Sequence, residues 1–126
     1  MRNVALYLFA LVCLILHIQL VQAEDYPKPF QEIYVGYQEH VCYNASKYTA
    51  NDTVTFFFDE DRSSNVAHGP ATKGCFTYIV PQGALTPPGR NSSTLLGVVR
   101  RNFYLWEVIG FPVRVVEPPR NETDSS

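Results

Sequence analysis

Short runs of alternating or β-rich residues, each closed by turn-forming residues, point this chain toward an all-β fold. Residues 32–38 place Ile33, Val35 and Tyr37 on one side, and residues 53–58 set Val54, Phe56 and Phe58 against Thr53 and Thr55. Residues 75–80, 94–99, 103–109 and 113–116 complete six predicted strands, all rich in the β-branched and aromatic side chains that suit a pleated surface. Polar residues 44–52, the charged stretch 59–73 with Gly69-Pro70, and the loop 81–93 with Pro87-Pro88-Gly89 separate them. Arg100-Arg101-Asn102 is a polar gap suited to a hairpin, and Gly110-Phe111-Pro112 reads as a tight bend. No long window carries a helical apolar stripe. The expected architecture is a small antiparallel β-sandwich or barrel of about six strands.

The N-terminus reads as a secretory signal peptide over residues 1–23. Arg2 is followed by an apolar run from Val4 to Leu16, and Val21-Gln22-Ala23 presents small or short residues where a signal peptidase cuts. The run falls short of the roughly 20 apolar residues that span a bilayer. Residues 24–126 are then expected to form a single secreted domain with a short acidic tail and no membrane anchor.

Removing Cys13 with the signal peptide leaves Cys42 and Cys75, which permit a single intrachain bridge. An oxidising compartment favours that disulfide. One bridge does not replace a core, so the domain is expected to fold mainly on apolar packing. Phe, Tyr and Trp supply 15 of the 103 residues after position 23, and most are expected inside.

Four of the six asparagines in that region head an Asn-x-Ser/Thr triplet, namely Asn44, Asn51, Asn91 and Asn121. With Ser and Thr at 15 of 103 positions, chance predicts about one such triplet. All four fall in predicted connections or the tail, where a glycan is tolerated. Nine Lys/Arg against twelve Asp/Glu leave a charge of −3, which argues against nucleic acid or anionic membrane as a partner.

Motifs for catalysis and metal binding fail on inspection. Asp59-Glu60-Asp61 begins like a calcium loop, but its sixth and twelfth positions are Ser64 and Pro70 rather than Gly and Glu. His40, His68, Cys42 and Cys75 match no closed zinc spacing. There is no Gly-x-Ser-x-Gly elbow. Cysteine spacing and the position of Trp106, 31 residues after Cys75, do not fit an immunoglobulin domain. No cofactor is expected, and the chain is not expected to be an enzyme.

The sequence supports a secreted, N-glycosylated module that engages an extracellular protein or receptor, as an inhibitor, ligand or host-directed effector of the salivary or venom kind. Gln82, Leu85, Pro87 and Pro88 in the proline-rich loop are the expected contact residues, because prolines lower the entropy lost on binding. Tyr26, Phe30, Tyr34 and Tyr48 are candidate spare aromatics. The alternative is a carrier holding a small apolar ligand among Phe56, Phe58, Trp106 and Ile109. A small secreted hydrolase is a distant third.

Overall fold

A computed structural model describes residues 25–119. The expected signal peptide, Asn121 and the acidic tail lie outside them. Seven strands form two sheets: β1 (Gln31–Tyr34), β2 (Gln38–Cys42), β3 (Asp52–Phe58), β4 (Asp61–Pro70), β5 (Cys75–Ile79), β6 (Ser93–Arg101) and β7 (Tyr104–Val116). The larger sheet runs β1-β7-β6-β3-β4 and the smaller pairs β2 with β5. The pairing is antiparallel except between β1 and β7, which are parallel. The fold is an all-β sandwich.

Strand alternation generates its core. Val54, Phe56 and Phe58 of β3, Leu95 and Val99 of β6, and Phe111, Val113 and Val115 of β7 point inward and are buried. From the small sheet, Val41, Phe76 and Tyr78 meet them. Aromatic contacts join the layers, with ring centroids 5.6 Å apart for Phe56–Phe76 and 6.1 Å for Phe58–Tyr78. Those separations suit tilted and edge-on packing. Within the large sheet, Gly97 leaves room for Phe56 and Ile109 on the strands beside it: a Cβ there would lie 2.6 Å from the Phe56 ring and 2.8 Å from Ile109.

Cys42 and Cys75 face each other directly across β2 and β5 and are joined, as expected. The bridge lies opposite the core-facing Val41–Phe76 pair, on the outside of the small sheet. Tyr26 extends this sheet through reciprocal backbone bonds with Cys42, its N–H donating at 2.9 Å and its carbonyl accepting at 2.8 Å.

The structure corrects the expected elements in three places. Residues 32–38 are not one strand: Gly36, at φ 84°, turns the chain out of β1 and into β2 of the opposite sheet. The charged stretch 59–73 contains a ten-residue strand, β4. Its polarity reflects an exposed edge rather than a loop, and its register shifts are a common way of blunting an edge. The strands expected at 103–109 and 113–116 are one, β7, which runs through Gly110 and Pro112. Pro112 is tolerated because its carbonyl accepts from Phe30 N–H at 2.8 Å on the β1 side, before β1 begins. An extended residue directs its N–H to that same side, so the proline forfeits no ladder bond.

Candidate functional site

β6 and β7 join through a two-residue turn, Asn102-Phe103, closed by the Arg101–Tyr104 pair. Both turn residues lie in the left-handed region, at φ 51° and 72°. A two-residue hairpin of this kind follows the twist of its strands, and its second position ordinarily holds glycine. Asparagine tolerates the conformation; phenylalanine does so at a cost, because its Cβ crowds the backbone. This strained phenylalanine is 97 % exposed at the tip of the molecule.

Exposure continues along β7. Tyr104, Leu105, Trp106 and Val108 are 79, 65, 54 and 50 % exposed. On an ordinary sandwich strand alternate residues would be hidden. Here the buried core positions on β6 end at Val99. Beyond Val99 the register shifts, with Val99 opposite Glu107 and Arg100 opposite Leu105, leaving Trp106 as an unpaired bulge residue.

The bulge sets the indole over a cation. The Arg101 guanidinium lies 3.8 Å from the Trp106 ring centroid. That guanidinium also grips Asp52 in a two-point contact, Nε donating to Oδ1 at 2.7 Å and Nη2 to Oδ2 at 2.9 Å. Asp52 is buried and accepts a third bond, from Thr49 N–H at 2.8 Å. Its carboxyl is held down to about 2, chiefly by the Arg101 hydrogen bonds, and the same contact raises Arg101. Beside it, Lys47 Nζ and the Tyr48 hydroxyl donate to Glu107 Oε1 at 2.7 and 3.3 Å. These bonds tie the 44–51 connection across the base of the hairpin.

The outer face of the large sheet carries a further group of apolar residues. Val108 lies opposite Val98, which lies opposite Thr55; Gly110 lies opposite Leu96, which lies opposite Phe57. Phe57, Leu96 and Val98 are half-buried, and among the described residues no sheet packs over them. Exposed apolar residues gathered on one part of a surface mark interaction sites.

The expected contact residues occupy a different region. Gln82 is exposed and bonds Glu117 at 2.7 Å; Pro88 is exposed, Pro87 half-buried, and Leu85 packs on the core. Their loop is tied down by Thr86, whose N–H donates to the Val115 carbonyl at 3.0 Å while its Oγ1 accepts from Val115 N–H at 2.9 Å. Of the candidate aromatics, Phe30 is exposed, Tyr26 and Tyr34 are half-buried, and Tyr48 is buried. Phe56 and Phe58 are core and Ile109 packs against it, but Trp106 is outside and is not grouped with them. His68 shares a 2.7 Å hydrogen bond with Thr55 on the outer face, while Cys42 and Cys75 are bonded to each other. Asn44, Asn51 and Asn91 are exposed in connections between strands.

Sequence reasoning missed the hairpin as a surface because five apolar residues in six read most simply as core. The usable signal was Asn102 after two arginines: a turn there projects Phe103 into solvent.

The chain matches no protein-family model, and no curated protein matches its sequence.

Proposed function

We propose that this is a secreted, N-glycosylated binding module that engages another extracellular protein through the β6–β7 hairpin. The observation that carries the reading is the exposed row Phe103, Tyr104, Leu105, Trp106 and Val108. Aromatic anchors dominate the energetics of protein interfaces. The salt bridge beneath Trp106 and the tight turn beneath Phe103 hold these anchors before a partner arrives, which reduces the ordering cost of association.

The intrachain disulfide is compatible with an extracellular location. Glycans on Asn44, Asn51 and Asn91 would stand on connections, since none of these three asparagines lies within a strand. That keeps the glycan-bearing asparagines away from the mid-strand positions Val98 and Val108, while Asn44 and Asn51 bracket the connection at the base of the hairpin and leave its tip, Phe103, outermost. Carriage of an apolar ligand between the sheets has less support, because Phe56 and Ile109 already crowd Gly97 there.

The test is affinity capture by the immobilised, glycosylated chain from extracellular and membrane-protein extracts, with retained proteins and small molecules both identified. A saturable protein partner is expected. A retained small molecule with no protein partner would overturn the reading.

A further inference from the structure

At the far end of the large sheet from the hairpin, Phe30, Arg90, Asn91 and Arg114 line an open cleft of about 420 Å³. Each of the three larger side chains is placed by backbone. Phe30 stands just before β1 in the left-handed region, at φ 61°, with its N–H bonded to the Pro112 carbonyl at 2.8 Å. Arg114 follows two residues along β7, opposite Glu32 of β1. Arg90 closes a Pro87–Arg90 turn, its N–H donating to the Pro87 carbonyl at 3.1 Å. Pro88 and Gly89, the latter at φ 84°, occupy the central positions that such a turn requires.

The charges in this cleft are not spent internally. Among the described residues, ion pairs join Lys47 to Glu107, Arg62 to Asp59 and Arg101 to Asp52; Arg90 and Arg114 enter none. Glu32, the carboxylate nearest Arg114 in register, instead accepts from the Tyr34 hydroxyl at 3.2 Å and does not line the cleft. Two guanidiniums with open donors present the planar forks that match tetrahedral and planar oxyanions. The Phe30 ring, 55 % exposed, adds a flat apolar wall. Among the described residues, Phe30 and Phe103 are also the two aromatics with positive φ, and backbone strain of this kind collects at functional sites.

We propose that this cleft binds an oxyanion carried on an aromatic ring, an aryl sulfate or aryl phosphate, with Arg90 and Arg114 on the anion and Phe30 against the ring. The site is separate from the hairpin, and it stands whether or not the hairpin docks a protein. Sulfate and phosphate esters share the recognising chemistry, and the probes below tell them apart.

The experiment titrates O-sulfotyrosine, O-phosphotyrosine and unmodified tyrosine into the full glycosylated chain, followed by calorimetry and saturation-transfer NMR. One or both esters bind, the unmodified amino acid at least tenfold more weakly, and affinity falls as salt rises. An Arg90→Gln/Arg114→Gln variant loses at least tenfold in affinity. Phe30→Asn, which tolerates the left-handed backbone, loses the ring contact and weakens binding several-fold. Arg100→Gln, an exposed arginine elsewhere, changes nothing, and circular dichroism verifies that each variant is folded. Failure of both esters to bind, equal binding of unmodified tyrosine, or indifference to the double arginine variant overturns the proposal. So does binding that appears only in Asn91→Gln protein, since the native cleft would then be filled by its own carbohydrate.

Discussion

The guanidinium of Arg101 stacks 3.8 Å from the ring of Trp106 while its donors hold the buried carboxylate of Asp52. One side chain thus couples an interior charge to an exposed aromatic anchor. Because Trp106 is the only tryptophan in the chain, its emission reports directly on this junction.

Acid should loosen it. Asp52 titrates near 2 in the folded chain, against an ordinary value of 3.8. A carboxyl with a lowered folded value contributes stability that is full above the unfolded value and is lost as pH falls through the folded one. Stability is therefore expected to decline between about pH 4 and 2, with a change in Trp106 emission. Asp52→Asn should flatten that part of the profile and lower stability at neutral pH, read by urea unfolding at a series of pH values.

Replacing Gly97 tests the tightness of the sandwich. Gly97→Ala puts a methyl against Phe56 and Ile109, and overpacking of this sort costs about 1–3 kcal/mol. The urea midpoint should fall with an unchanged slope.

The disulfide closes a loop with a sequence separation of 33 and staples the end of the small sheet. A Cys42→Ser/Cys75→Ser variant should lose about 4 kcal/mol in the chain-entropy model. Calorimetry should show a lower melting temperature, and hydrogen exchange should speed up first at the backbone N–H groups of positions 26 and 42.

Phe103 should prove a poor choice for stability. Phe103→Gly relieves the left-handed strain, partly offset by glycine's greater freedom when unfolded. Its stability should equal or exceed that of the native chain by up to about 1 kcal/mol, while binding through the hairpin is lost. A large destabilisation in equilibrium unfolding would show that Phe103 has a structural role instead.

Much of the fold was legible because alternation reports burial directly. The spacing of Val54, Phe56 and Phe58 sets them on one face, which is the buried one, and the Cys42–Cys75 bridge follows once Cys13 is assigned to the expected signal peptide. What escaped depended on long-range pairing. β4 looks like a loop because an edge strand needs no apolar face, and Ser63, Ser64 and Asn65 are exposed. Val35 gave no hint that the chain changes sheets one residue later at Gly36. Trp106 read as core since its composition fits a buried strand; only the bulge against Arg100 and the end of the core at Val99 put it outside. The Arg90–Arg114 cleft joins residues from a turn and a distant strand, which no local pattern brings together.

The most direct test of the central claim compares binding isotherms of the native chain and a Phe103→Ser/Trp106→Ser variant for the captured partner. Loss of two aromatic anchors should weaken binding by about 4 kcal/mol, roughly a thousandfold, with circular dichroism unchanged. Equal affinity of the two folded proteins would contradict the assignment of the hairpin as the docking surface.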